Sequence, residues 1–418
     1  MINVNSEIGR LKLVLVHQPD EGIARISPKR AEELLFDDIV HLPTMIEEHN
    51  EFTKVLKALI GDDAVKEVQD LLEESLGVDE ELRLDLIQRI VDYEEIAHVL
   101  ITELSQLENH VLAETLITGY LKDKDHIIFD PIPNFIFTRD IAVSAQDHII
   151  ITKAAKEARY RENLLTRFIF HAHPLFEEVR ENKRIINLNH IDMFPPSRLG
   201  EKVSIEGGDI MILGDDFLLI GCSERTTDHA IKSLMKVVFD KGIVNNVAQI
   251  NIPNDRSCMH IDTLFTRISE EDVVCYKPTI YDGKSSNVIV HRSSGDEKTY
   301  SSVKEFLRSE VNRDMNFIFA GDGLSPYQER EQWTDGCNLV AVRPGVALTY
   351  DRNPYTEVAF KKNGYQVIHA SDFLAEVEAG NIDPSKMEKV IITLSSSELS
   401  RARGGSHCMT CPIVREAI

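Results

Sequence analysis

The 418-residue chain is poor in the features that would commit it to a specialised class. It has one tryptophan and an aromatic fraction of only 7%. Its six cysteines (Cys222, Cys258, Cys275, Cys337, Cys408, Cys411) are scattered along its length, and its first residues show no basic segment leading into an apolar run. A disulfide framework and a signal peptide are therefore not expected. No apolar run approaches the roughly 20 residues that span a bilayer. Positive charge is in deficit, with 46 Lys+Arg against 69 Asp+Glu and a formal net charge of -23. That balance argues against nucleic acid and anionic membrane as partners and favours the approach of a cationic small molecule. What remains is the composition of a soluble, cytoplasmic globular protein, 43% apolar and 28% charged, long enough for one large or two ordinary domains.

The chain opens with Arg10-Leu11-Lys12-Leu13-Val14-Leu15-Val16-His17, which alternates and then becomes apolar, as a buried strand would. Between 44 and 122 the character changes. Thr44-Met45-Ile46-Glu47 reads as a capping box, and Phe52, Val55, Leu56, Leu59 and Ile60 follow at helical spacing. Leu82, Leu86, Ile90 and Tyr93 repeat the pattern, and Gly61 and Gly77 fall where helices stop. The spacing predicts four or five amphipathic helices inserted between strand-rich parts, their acidic residues forming a solvated face. The expected organisation is an α/β part over 1–43 and 123–418, with a helical insertion over 44–122.

After 124 a unit repeats. Phe137-Thr138-Arg139-Asp140, Glu206-Gly207-Gly208-Asp209, Met259-His260-Ile261-Asp262 and Asp335-Gly336-Cys337-Asn338 are polar motifs, and each leads into a pair of apolar strands. A fifth motif, Arg403-Gly404-Gly405-Ser406-His407-Cys408, lacks a following hairpin. The strand at Leu11–Val16 would complete that unit. Repetition at positions 140, 209, 262, 336 and 408 predicts a ring of five similar units with the polar motifs around one centre.

Those motifs gather Asp140, Glu206, His260, Asp262 and Cys408. A cysteine with a histidine and carboxylates suits nucleophilic catalysis with general acid–base steps. Three carboxylates near a sulfur would repel a developing oxyanion but would hold a planar cation. A guanidinium presents five N–H donors in a fixed fork, which two carboxylates can grip from both edges. Taken singly the motifs have plainer readings: HxD as a structural pair, EGGD as a turn, FTRD as an internal ion pair, and Cys222, Cys258, Cys275 and Cys337 as inert buried thiols. His407-Cys408-x-x-Cys411 has no second ligand pair for zinc, has its histidine on the wrong side for haem, and lacks the βαβ setting of a thioredoxin motif. His407 is the neighbour of Cys408, but adjacent residues of a strand point to opposite faces, so His260 is the better partner.

Together, Phe137-Thr138-Arg139-Asp140, Glu206-Gly207-Gly208-Asp209, Met259-His260-Ile261-Asp262 and Gly405-Ser406-His407-Cys408-Met409-Thr410-Cys411-Pro412 resemble the motif set of the arginine deiminases, members of the guanidino-group modifying enzymes. The likeness covers nearly the whole chain, including the helical insertion. It implies a five-bladed, pseudo-symmetric α/β propeller of ββαβ units and hydrolysis of free L-arginine to L-citrulline and ammonia, with no metal or organic cofactor. Carried over, Cys408 corresponds to the nucleophile, His260 and Glu206 to the proton-transfer pair, and Asp140 and Asp262 to the guanidinium clamps. Asn134, Phe137, Arg159, Arg225 and Arg403 correspond to residues around the amino-acid end of the substrate, with Arg161 as the alternative to Arg159. Ser406 stands where the family commonly has Gly. The resemblance also admits a homo-oligomer and a role in arginine catabolism. The competing readings are another guanidino enzyme, such as a dimethylarginine hydrolase or an amidinotransferase, and a thiol redox or metal-binding protein.

Overall fold

The computed structural model describes residues 2–36 and 38–418. The chain is α/β, as expected, with its strands divided among separate sheets. The predicted first strand is β1 (Leu11–Val16). It is followed by α1 (Glu21–Ala24), capped by the Asp20 carboxylate, and by α2 (Leu42–Ile60). α2 starts two residues ahead of the predicted capping box. Pro43, with its fixed φ, suits the first turn, and the Thr44 hydroxyl lies 2.8 Å from Nδ1 of His41 instead of capping the helix. α2 buries Met45, Phe52, Val55 and Leu56 in a core shared with Leu348, Phe373 and Ile392. Burying one such side chain fully is worth about 1.5–3 kcal/mol. The helix then delivers β2 (Val65–Glu67), which pairs in parallel with β1. α2 is thus the crossover of the first sheet.

α3 (Val68–Leu76), α4 (Glu80–Tyr93), α5 (Val99–Ser105) and α6 (Asn109–Thr118) follow. Asp79 caps α4 by accepting from the amides of Glu81 and Leu82. α6 ends at Gly119, whose φ of 71° and close approach to the Phe129 carbonyl admit no side chain. β3 (Tyr120–Leu121) and β4 (His126–Ile127) make a small ribbon.

Four further sheets are built as the first is, from an antiparallel pair followed by a parallel strand. The second has β5 (Ala142–Ala145) and β6 (His148–Ile151), then α7 (Tyr160–Ala172), α8 (Glu177–Glu181) and β7 (Ile185–Asn187). Leu72, Ile87 and Leu116 of the helical segment share a core with Ile149 and Phe170 of this unit. The third has β8 (Ile210–Gly214), β9 (Phe217–Cys222), α9 (Asp228–Asp240) and β10 (Asn246–Asn251). The fourth has β11 (Phe265–Arg267) and β12 (Asp272–Cys275). Before it is completed, β13 (Asn287–Arg292) and β14 (Glu297–Tyr300) leave to extend the third sheet along β10. α10 (Val303–Phe306) then leads to β15 (Asn316–Phe319), parallel to β12.

The fifth sheet follows α11 (Tyr327–Trp333). It has β16 (Val340–Arg343), β17 (Val346–Tyr350), α12 (Pro354–Lys362), β18 (Gln366–His369), α13 (Ala370–Glu378) and β19 (Val390–Leu394), with β19 between β17 and β18. The chain closes with β20 (Cys411–Arg415), which pairs antiparallel with β1, Leu15 facing Cys411 and Val14 facing Pro412. The expected partnership of the last strand with the first is therefore present. No helix among the described residues is long and apolar enough to cross a membrane.

Candidate active site

The chemistry-bearing residues occupy the turns that lead into the first strand of each sheet. Asp140 ends a tight turn before β5, Glu206 precedes the turn before β8, and His260 and Asp262 flank the start of the turn before β11. Cys408 lies in the turn ahead of β20, not in the strand where the sequence reading put it. Two glycines permit the crowding. A side chain on Gly208 would meet His260 Nδ1 at 2.6 Å, and one on Gly404 would meet the Phe137 ring at 2.3 Å. The left-handed backbone in this segment belongs to Arg403, at φ 66°. Ser406, the departure from the family pattern, donates its hydroxyl to the Leu348 carbonyl at 2.7 Å, and its oxygen accepts from the Val340 amide at 3.2 Å.

The five residues expected at the centre come together, all of them buried. His260 Nε2 lies 2.9 Å from Glu206 Oε2, and His260 Nδ1 lies 3.9 Å from Asp140 Oδ1. Cys408 Sγ lies 3.5 Å from Asp262 Oδ2. His407 bonds the same carboxylate, with Nδ1 2.9 Å from Asp262 Oδ2 and Nε2 3.3 Å from Glu7 Oε2. Glu7 in turn accepts from Arg139 at 2.7 Å. His407 and Arg139 thus support the motifs from behind.

The charges are strongly biased. Burial works against a charged His260, but Asp140, the hydrogen bond to Glu206 and the charges of Asp209 and Glu206 outweigh it and hold the imidazolium. Burial disfavours ionised Glu206, but the bond to His260 and the charges of Arg159, His260 and Arg225 keep it a carboxylate. Burial also opposes ionised Asp262, and the bond and charge of His407 prevail over it. The Cys408 thiol is pushed well above its ordinary value by burial and then by Asp262, Asp140 and Asp335, while a hydrogen bond from Asn338 acts the other way.

Asp140, Glu206 and His260 offer ligand atoms within 4.8 Å of one another, a spacing that suits a cation. A cation is there, and it is organic. Arg159 donates from Nη1 to Asp140 Oδ2 at 2.6 Å, with the same nitrogen 3.6 Å from Glu206 Oε2 and its Nε 2.9 Å from Glu162 Oε2. The chain's own guanidinium thus lies across the two carboxylates. Arg161, the alternative to Arg159, points elsewhere: it is bonded to Glu94 and to the carbonyls of Leu116 and Asp130.

Asn134, Phe137, Arg159, Arg225 and Arg403 all line one cavity of about 30 Å³ together with Asp140, His260 and Cys408. That is room for about one water. The cavity abuts a cleft of about 560 Å³, with Leu35, Arg225, Arg256 and Met259 bordering both. Three buried polar atoms near Cys408 have no hydrogen-bond partner among the described residues: Asp262 Oδ1, on the carboxyl that contacts Cys408, and Arg225 Nε and Arg403 Nη1, on residues that line the cavity. The Arg403 guanidinium lies flat on the Trp333 ring, its carbon 3.2 Å from the ring centre. Sequence reasoning assigned no role to Trp333, Glu162 or Asn338. Only Asn338 carried a signal, since it belongs to the fourth copy of the repeated motif.

Comparison with known proteins is consistent throughout. The sequence model of a family described as arginine deiminase matches residues 32–124 and 96–415. A protein of Pediococcus pentosaceus named arginine deiminase is 32% identical over 445 residues, covering 100% of this chain and 99% of that protein. One of Bacillus cereus (strain ATCC 10987 / NRS 248) with the same name is 33% identical over 446 residues, covering 100% and 99%. Among solved structures, SxtG, an amidinotransferase from Microseira wollei in the saxitoxin biosynthetic pathway, superposes with a TM-score of 0.55 at 13% identity, over 100% of this chain and 98% of that one. The N-terminal domain of ArgZ, covalently bound to a reaction intermediate, superposes with a TM-score of 0.52 at 12% identity, over 96% and 97%. At those identities the two structures speak for the fold alone.

Proposed function

The chain belongs to the arginine deiminase family, and from that premise we propose that it hydrolyses free L-arginine to L-citrulline and ammonia, with Cys408 as the nucleophile. The observation that carries the reading is the set of unpartnered atoms of both charges around the Cys408 cavity. Asp262 Oδ1 awaits a cation, and Arg403 Nη1 and Arg225 Nε await an anion. A substrate with a guanidinium at one end and an α-carboxylate at the other completes both. Arg159 shows how a guanidinium sits across Asp140 and Glu206. Substrate takes that position, Arg159 withdraws toward the carboxylate with Arg225 and Arg403, and the cavity widens toward the cleft beside Leu35. Asn134 and Phe137 border the aliphatic part.

The bound cation beside the sulfur favours the thiolate, whose proton passes to water. Thiolate attack on the guanidinium carbon makes a C–S bond and a tetrahedral adduct. The His260 imidazolium gives its proton to the departing nitrogen, the C–N bond breaks, and ammonia leaves an S-linked amidino intermediate. Neutral His260 then takes a proton from water as the oxygen attacks the same carbon. Collapse breaks the C–S bond, the hydroxyl proton passes to the departing sulfur, and citrulline is freed. Glu206 keeps His260 oriented and, with Asp140 and Asp262, holds the guanidinium nitrogens. No metal or organic cofactor has a part in this route.

We read the five sheets as blades of a pseudo-symmetric five-bladed propeller, supported by the strand plan they share and by leading turns that bond to one another around His260 and Cys408. Of the division into 1–43 with 123–418 and 44–122, we assign α2 to the first blade because it joins β1 to β2, and begin the helical insertion at α3. Six free cysteines support a cytoplasmic enzyme, acting in arginine catabolism. The test is incubation with L-arginine in water as the only acceptor. Equal release of ammonia and citrulline is expected. Turnover only with an added amine acceptor would make the chain an amidinotransferase and overturn the reading.

A further inference from the structure

Asn338 is fully buried and uses all of its hydrogen-bonding capacity, three bonds on the turn that carries Cys408 and one on the turn of Asp262. Its Oδ1 accepts from the backbone amides of His407 and Cys408, both at 3.1 Å. Two amide donors on that atom identify it as the oxygen, so the other atom is the nitrogen. Nδ2 donates to the Asp262 carbonyl at 3.2 Å and to Cys408 Sγ at 3.2 Å. The amide therefore cannot turn without breaking several bonds at once, and one of its N–H groups is fixed on the sulfur.

We propose that Asn338 is a catalytic residue that aims the Cys408 sulfur and stabilises it as the attacking thiolate. This rests on the reading of Cys408 as the nucleophile. A thiol is a weak acceptor and a thiolate a strong one, so a donor held at the sulfur favours the ionised form. The need is local. The groups that bear on Cys408 from the neighbouring turns are the carboxyls of Asp262, Asp140 and Asp335, all of which oppose a second negative charge. Of the cations lining the same cavity, Arg159, His260 and Arg225 each lie against a carboxylate, and Arg403 feels the charge of Asp335. Asn338 supplies a donor without adding a charge that would repel the guanidinium.

The test is the rate of iodoacetamide alkylation at Cys408, followed by peptide mass in the absence of arginine at pH 8, in the wild type and in Asn338→Asp. The variant keeps the shape and the Oδ1 acceptor but puts in place of the donor a carboxyl oxygen that itself opposes the thiolate, so Asn338→Ser, which adds no charge, isolates the loss of the donor. The expected result is a fall of about tenfold or more, the effect of raising the thiol by one pK unit or more, with kcat reduced and KM for arginine little changed. Asn338→Ser, which cannot reach the sulfur, is expected to show the same fall and covers the case in which Asn338→Asp misfolds. An alkylation rate equal to wild type in either folded variant overturns the proposal. So does failure of both variants to fold, which would make Asn338 a structural residue. Because the alkylation needs no substrate, its outcome is separate from whether the wild type makes citrulline.

Discussion

The leading turns and the strands of the first sheet contain the same kinds of residue, put to different uses. His260 and His17 are both buried, at 2% and 1% exposure, and each lies between carboxylates. His17 follows β1. Its Nδ1 is 2.7 Å from Glu67 at the end of β2, and its Nε2 is 3.3 Å from Asp20, which caps α1. Burial opposes its charge, but Glu67 and Asp20 raise its pKa to about 10. Cys411 sits in β20 three residues after Cys408, and its thiol donates to the Ala142 carbonyl at 3.2 Å. His17 and Cys411 have all their partners inside the fold. His260 and Cys408 line a cavity with unpartnered charged atoms around it. A perturbed ionisation alone therefore does not mark a site; open space facing orphaned polar atoms does.

The sharpest way to break this contrast is to truncate both cysteines. Cys408→Ala is expected to abolish citrulline formation while the chain stays folded. Cys411→Ala is expected to retain most activity and cost about 1 kcal/mol of stability, read as a small fall in Tm. Equal losses of activity would erase the distinction between turn and strand. Next in size, His260→Asn should lower kcat by about 10²–10⁴-fold, the usual worth of a positioned proton donor, whereas His17→Gln should leave kcat nearly unchanged. Arg403→Ala should weaken kcat/KM for arginine about ten- to a hundredfold, as loss of a charged hydrogen bond would, and should affect agmatine, which lacks the carboxylate, much less. Parallel losses on both substrates would remove the carboxylate role.

The smallest effect concerns stability and pH. The folded pKa of His17 lies above the ordinary 6.5, so the stabilisation it brings is complete below pH 6.5 and fades as the pH rises through about 10. Denaturant unfolding of the wild type should show that decline, and His17→Gln should flatten it.

The sequence made the repeating motifs, their hairpins and the partnership of β1 with the final strand legible, because each is written as local alternation and turn chemistry. What stayed hidden depends on distant contacts. Nothing near residue 42 says that α2 returns to pair β2 with β1, so it reads as one more inserted helix. Arg159, placed by the resemblance at the amino-acid end of the substrate, donates to Asp140 at 2.6 Å, a contact between positions 19 residues apart that no local pattern encodes. His407 bonds Asp262 directly and is held on its other nitrogen by Glu7, from the opposite end of the chain. Asn338 belongs to the fourth copy of the repeated motif, but nothing local says that the fold sets its amide against Sγ.

The most direct test is to mix the wild-type chain with L-arginine, quench with acid within the first turnovers and map the mass of its peptides. The account predicts an amidino adduct on the peptide containing Cys408, lost in Cys408→Ala and decaying as citrulline appears. Citrulline formed without any adduct on Cys408, or formed by Cys408→Ala at a comparable rate, would contradict it.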